Sequence, residues 1–209
     1  VSAMNYESIS DALKKRIHDS YERNAYFSVL IPLIIVDNEP HLLFEVRSYE
    51  LESQPGEICF PGGKMEPGEH ASQTALRETK EELNLSDQQL KIIGSLPPLT
   101  TPFHYTIHPY CGVIQHTEYH DIRYSTDEVD SIFTIPLKKL LSMTPDKFNL
   151  NYRMELDPSF PYHLIPNGES YDWKSGGYQV IFYHHEDKVI WGLTAKMLKF
   201  FLDSIRHIF

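Results

Sequence analysis

Gly63-Lys64-Met65-Glu66-Pro67-Gly68-Glu69, then seven residues, then Arg77-Glu78-Thr79-Lys80-Glu81-Glu82-Leu83-Asn84-Leu85, is the stretch that decides the fold. It opens on turn-forming residues and runs into Ala71 to Leu83, which reads as a helix. At about 100° per residue, Glu78, Glu81 and Glu82 share one helical face. Carboxylates so close repel one another, and a hard, oxygen-seeking cation such as Mg²⁺ relieves that repulsion. Leu76, Thr79 and Leu83 fall on another face, where they can dock the helix on a sheet. Read alone, such a charge cluster is a solvated helix face. The fixed spacing Gly-x5-Glu-x7-Arg-Glu-x2-Glu-Glu sets it apart, as does its place after a short strand and the Gly62-Gly63 turn, where backbone carbonyls can join a coordination shell.

Working outward, Tyr26 to Val36 is rich in β-branched residues and reads as a strand, with Asp37-Asn38-Glu39-Pro40 as a turn and His41 to Arg47 as the returning strand. Glu57 to Phe60 reads as a short strand. Upstream, Ile9, Leu13, Ile17 and Tyr21 mark an amphipathic helix over 6–23. Downstream, Lys91 to Leu96 and Thr106 to Gln115 read as strands, and Pro136 to Leu141 as a short helix with Pro136 in its first turn. The span 149–177 is rich in Pro, Gly and Asn and reads as an irregular excursion. Gly177 to His184 then reads as a strand, and a closing helix begins at Leu193. The expectation is one domain over 4–209, of mixed α/β (α+β) class, with a mixed sheet sandwiched between helices. Val1 to Ala3, ahead of Met4, are expected to be foreign to it.

The central stretch resembles the box of the Nudix hydrolase family, Gly-x5-Glu-x7-Arg-Glu-apolar-x-Glu-Glu-x-Gly-apolar. Glu69, Arg77, Glu78, Glu81 and Glu82 match at every charged position. Thr79 stands where the family has an aliphatic residue, and Asn84 where it has a glycine that ends the helix in a left-handed conformation, for which Asn is the next-best residue. The resemblance implies that Glu78, Glu81 and Glu82 bind Mg²⁺ or Mn²⁺ with help from a carbonyl at Gly62 or Gly63, while Arg77 and Glu69 pair to hold the loop on the helix. It implies attack of water on a diphosphate joined to another moiety. Glu81, Glu82 and the loop residue Glu128 are the candidates for the proton acceptor.

The flanks bear on the substrate. Leu42 to Ser48, with the Arg47-Ser48 pair, and Gly56 to Gly63, ending Phe60-Pro61-Gly62-Gly63, are similar to the additional signature of coenzyme A pyrophosphatases in that family. The segments Pro97 to Gly112 and Ile190 to Ala195 are similar to that subgroup as well. The reaction implied splits coenzyme A, or an acyl derivative, into 3′,5′-ADP and 4′-phosphopantetheine. Arg47 is the candidate for a substrate phosphate, its planar fork suiting that task. Phe60, Lys64 and His104 complete the substrate set; His104, Tyr105, His108 and Tyr110 form an aromatic region able to stack an adenine. One departure is that Tyr49 to Pro55 carries no basic residue, where the subgroup places several. Either Lys64, Arg123 or Lys174 compensates a 3′-phosphate, or the substrate is less anionic. Hydrolysis of another nucleoside diphosphate conjugate (ADP-ribose, NADH, a dinucleoside polyphosphate) is thus the alternative. A non-catalytic nucleotide-binding regulator would be signalled by lost box glutamates, and none is lost.

A formal net charge of -10 argues against a nucleic-acid or anionic-membrane binder, though not against a small anionic substrate in a locally cationic site. Cys59 and Cys111 lie in apolar strands and read as small core residues, so no disulfide framework is implied. No signal peptide or membrane-length apolar run is seen, and the final Arg206-His207-Ile208-Phe209 is not a peroxisomal address; the cytoplasm is the expected compartment. A homodimer is compatible with the sequence.

Overall fold

The computed structural model describes residues 11, 25–102 and 104–208. The expected helix over 6–23 therefore lies outside the described residues, apart from Asp11. Strand β1 (Ala25–Val36) and strand β2 (Glu39–Arg47) form an antiparallel hairpin. Asp37 and Asn38 both take positive φ (50° and 63°), the twist a two-residue hairpin turn requires.

The hairpin strands pair only near their turn, from Val36↔Glu39 to Leu33↔Leu42, and then part. Strand β3 (Ile58–Cys59) takes the edge of β2 that this frees, and strand β4 (Gly62–Lys64) takes that of β1. Pro32, with no N–H to give, falls between the β1–β4 register and the β1–β2 register. The link from Phe60 to Gly62 crosses the fork, and the Pro61 carbonyl accepts from the Leu30 amide at 2.9 Å. This fork fixes the Gly62-Gly63 turn in the middle of the sheet.

Strands β5 (Leu90–Ser95), β6 (Leu99–Thr100), β7 (Tyr105–Ile114) and β8 (Val129–Pro136) complete the sheet. Its backbone order is β3-β2-β1-β7-β5, with β8 on β2 and β6 on β7. The β1–β7 pair is parallel and the others antiparallel, so the sheet is mixed. Alternate residues serve opposite faces. On one face Leu30, Ile34 and Leu43 pack with Ala75 and Leu83 of helix α1 (Ala71–Leu83). On the other, Ile31, Leu42 and Phe44 pack with Leu137 and Leu140 of α2 (Leu137–Ser142) and Leu198 and Leu202 of α3 (Gly192–Ile205). The expected sandwich of a mixed sheet between helices is thus present. Burying each such Leu, Ile or Phe side chain contributes about 1.5–3 kcal/mol.

Three readings of the sequence need correction. Pro136 closes β8 and caps α2 rather than opening its first turn. Strand β8 was not anticipated, yet it pairs with β2 from His41↔Pro136 to Arg47↔Val129. The span 149–177 is not irregular throughout: strand β9 (Asp146–Tyr152) pairs with β10 (Gly176–His185), which pairs with β11 (Lys188–Trp191) in a second, three-stranded sheet. Only 153–175 is loop, with two short 3₁₀ turns. Among the described residues no helix is long and apolar enough to cross a membrane.

Candidate active site

Helix α1 begins after His70, whose backbone amide donates to the Gln73 side chain at 2.9 Å. It ends at Asn84, held left-handed at φ 48° and ψ 43°, the conformation expected from its place in the motif. Thr79 is fully buried, and its hydroxyl donates to the Ala75 carbonyl at 2.7 Å, so a polar group in an apolar position is satisfied within the helix.

Arg77 organises the front of the helix. It grips Glu69 with two bonds, Nε to Oε1 at 3.0 Å and a terminal nitrogen to Oε2 at 3.2 Å. Glu69 also accepts from the Thr74 hydroxyl at 2.7 Å and the Glu66 amide at 3.1 Å. The hydrogen bonds from Arg77 and then from Thr74 hold the Glu69 carboxyl down at about 2. The loop from Glu66 to Glu69 is thereby clamped on α1, the pairing the sequence implied. The same guanidinium reaches Glu78 at 2.8 Å and Glu81 at 3.1 Å, and its own pKa is raised, by the hydrogen bond with Glu69 first and then by Glu78.

Two carboxylates meet the Gly62-Gly63 turn. The Gly62 amide donates to Glu82 Oε2 at 2.8 Å. The Glu78 carboxylate occupies the space that a Cβ on Gly63 would need. Glu82 is 4% exposed. Desolvation lifts its carboxyl to about 8; the Gly62 bond opposes this, and repulsion from Glu128 and Glu78 adds to it. Glu78 is raised as well, by desolvation first, with Arg77 opposing.

Glu128 is exposed on the loop that leads into β8. The Ser125 amide bonds the Glu82 carbonyl at 2.8 Å, and the Ser48 amide bonds the Glu128 carbonyl at 2.8 Å. These ties bring Glu128 within electrostatic reach of Glu78 and Glu82. Glu128 thus lies near Glu78 and Glu82, and Glu81 lies near Glu78 on the helix.

The donor chemistry fits a hard divalent cation: carboxylate oxygens beside backbone, crowded enough to raise one another's affinity for positive charge. Arg77 at present engages Glu78 and Glu81, and among the described residues no three acidic, His or Cys side chains converge at ligating distance. A cation would share those two carboxylates with Arg77.

The expected substrate residues fare differently. Arg47, at the end of β2, turns its guanidinium to the Ser53 carbonyl, at 3.3 and 3.4 Å, which places it at the mouth of the 48–56 loop. Lys64 is exposed at the end of β4, its carbonyl accepting from Arg77 at 3.4 Å. His104 is exposed with φ 61° on the rim where β7 begins. Phe60 is a correction: it is 2% exposed and stacks on Phe44 with centroids 4.9 Å apart, so it is a core residue and does not face a ligand. Of the wider aromatic region, Tyr105 meets Phe27 edge-on at 5.5 Å and His108 lies 6.4 Å from Tyr26. Arg123 and Lys174 are both exposed. Cys59 and Cys111 are free thiols, and Cys111 is buried.

Sequence reasoning missed Glu45. It lies within β2, 1% exposed, and its Oε1 has no hydrogen-bond partner among the described residues. The available signal was a charge inside the apolar run Leu42-Leu43-Phe44-Glu45-Val46.

A sequence profile of the NUDIX domain matches residues 28–154. The chain is 32% identical over 196 residues to Nudix hydrolase 3 of Caenorhabditis elegans, covering 93% of this chain and 79% of that one. It is 32% identical over 185 residues to the mitochondrial coenzyme A diphosphatase of Homo sapiens, covering 88% and 70% respectively. Against the peroxisomal coenzyme A diphosphatase of Mus musculus it is 37% identical over 116 residues, 55% of this chain and 48% of that one.

Proposed function

The chain belongs to the Nudix hydrolase family and is a pyrophosphohydrolase, and from that premise we propose that it hydrolyses coenzyme A or an acyl-coenzyme A to 3′,5′-ADP and 4′-phosphopantetheine with Mg²⁺ or Mn²⁺ as cofactor. The observation that carries the reading is the buried Glu82 carboxylate seated on the Gly62 amide, beside Glu78 on the same turn. Glu78, Glu81 and Glu82 are the residues that would hold the metal, with a carbonyl of the Gly62-Gly63 turn. When bound, the divalent cation neutralises diphosphate charge and makes a water more acidic. Glu69 and Arg77 keep the loop and helix in register so that these carboxylates stay in place. Glu82, Glu81 or Glu128 accepts the proton of the attacking water. Arg47 contributes a fixed positive charge on the route from the 48–56 loop, where it can meet a substrate phosphate.

Coenzyme A as the substrate is supported by the likeness to the two coenzyme A diphosphatases and by the Arg47-Ser48 and Phe60 to Gly63 segments. The acidic loop, with Glu50 and Glu52 exposed and no base from Tyr49 to Pro55, favours a second reading: a less anionic nucleoside diphosphate conjugate such as ADP-ribose or NADH. The two free thiols support a reducing compartment such as the cytoplasm. The test is to incubate the protein with Mg²⁺ or Mn²⁺ and coenzyme A, ADP-ribose, NADH or a diadenosine polyphosphate, and to resolve the products by chromatography. Release of 3′,5′-ADP at the highest kcat/KM is expected; preference for ADP-ribose would sink the coenzyme A assignment. Glu82→Gln should lose at least ~100-fold in kcat. Wild-type turnover by that variant would refute the assignment of Glu82.

A further inference from the structure

We propose that Glu45 is an additional donor to the cation held by the glutamates of α1. This rests on the reading of Glu78, Glu81 and Glu82 as metal ligands. The position is set by strand parity. Leu42, Phe44 and Val46 pack in the core on the α3 side, so Leu43 and Glu45 face α1. Across the ladder Glu45 stands opposite Cys59 of β3 and Ile132 of β8, and neither side chain is a strong hydrogen-bond donor to a carboxylate.

A carboxylate in that place is costly. Glutamate is disfavoured in strand interiors, and a buried oxygen without a donor loses its water for no return. Glu45 is 1% exposed and its Oε1 is unpartnered among the described residues. The charges acting on it are Glu82 and Glu128, both repulsive, and Arg47, which is attractive. Arg47 does not resolve the problem: Nε and one terminal nitrogen bond the Ser53 carbonyl, and no donor among the described residues reaches Glu45 Oε1. A small apolar residue would fill this spot at no such cost. The spot lies within electrostatic reach of Glu82, the most deeply buried of the α1 carboxylates. A divalent cation there would give the orphan oxygen its partner and turn repulsion between Glu45 and Glu82 into shared coordination.

The experiment is a Mn²⁺ titration of the full chain, following free Mn²⁺ by its paramagnetic resonance signal, for wild type, Glu45→Gln and Glu82→Gln. A metal-free thermal melt of each reports folding. Glu45→Gln keeps the side-chain volume and removes the unpartnered charge, so its metal-free Tm should equal or exceed that of wild type. Its Mn²⁺ affinity should fall about tenfold or more. Should Glu45→Gln not fold, Glu45→Thr, a good strand former, takes its place in the same titration and must show the same loss. Wild-type affinity in the Glu45 variant, with affinity lost in Glu82→Gln, overturns the role of Glu45 alone. A wild-type protein that binds no Mn²⁺, or a Glu82→Gln variant that binds it unchanged, overturns the metal site itself and Glu45 with it.

Discussion

Gly62 and Gly63 are adjacent, yet they are glycine for different reasons, and substitution should separate them. At Gly63 a Cβ would come within 2.5 and 2.6 Å of the two Glu78 carboxylate oxygens. That obstacle is the end of a flexible side chain, which can swing away. Gly63→Ala should therefore melt close to wild type but lose activity on the order of 100-fold, since a displacement of about 1 Å at a catalytic group has that effect. Gly62 has φ 151° and a Cβ there would strike Val29 Cα at 2.6 Å, as well as the Ser28 carbonyl. Backbone cannot swing away, so Gly62→Ala should lose about 1–3 kcal/mol in a urea melt as well as activity. Equal stability of the two variants would refute this division. Glu69 gives a prediction in pH. Its carboxyl titrates at about 2 in the folded chain, below its ordinary 4.5, because Arg77 and Thr74 bond the ionised form. A lowered carboxylate stabilises the fold above the unfolded value and loses that contribution as pH falls. The Tm difference between wild type and Glu69→Gln should hold at neutral pH and shrink between about pH 4.5 and 2; a constant difference across that window would show that Glu69 acts through shape alone.

The elements show where the sequence could be read and where it could not. Helix α1 ends at a left-handed Asn84, so Asn84→Gly should match or slightly exceed wild-type stability, while Asn84→Val should lose about 1–2 kcal/mol, the left-handed penalty of a residue with a branched Cβ. Urea melts of the two variants decide it. This helix and its cap were legible because every signal is local: helical spacing, the Pro67-Gly68 break before it and the residue that closes it. The β1–β2 hairpin was legible for the same reason, through Asp37-Asn38. Strand β8 was not, because its partner β2 lies far away in the chain and its approach through Ser125-Thr126-Asp127-Glu128 reads as a turn. Strand β9 was hidden differently. All its residues are exposed, and Asn149 and Asn151 interrupt the pattern, so no apolar contrast marked a buried face; β10 alone makes it a strand. Among site residues the same rule holds. Glu78, Glu81 and Glu82 share a helix and could be found by spacing, whereas Glu45 joins them only through the fork between β1 and β2. Phe60 was misread because its motif sits beside the site while its ring points into the opposite core.

At the scale of the molecule, the carboxylates within electrostatic reach of Glu82 come from separate parts of the fold: Glu45 from β2, Glu78 from α1 with Glu82 itself, and Glu128 from the loop before β8. In a chain of formal net charge -10, each repels the others and opposes the packing of α1 on the sheet. Glu82 and Glu45 are both pushed up by burial first, with neighbouring carboxylates adding to the rise, so each ionises less readily than an exposed glutamate. A divalent cation that binds only when these parts are assembled stabilises the folded state by mass action, by about 2.7 kcal/mol at a hundredfold excess over Kd. For a domain of this size, that corresponds to a Tm increase of about 5–10 °C. The expected outcome is a Tm that climbs with Mn²⁺ or Mg²⁺ concentration, returns to its starting value on adding EDTA, and in Glu82→Gln responds little. The metal-free Tm of Glu82→Gln should be no lower than that of wild type if repulsion outweighs the bond from Gly62. A wild-type Tm that ignores both cations, measured by scanning calorimetry in the absence of substrate, would overturn the metal site on α1.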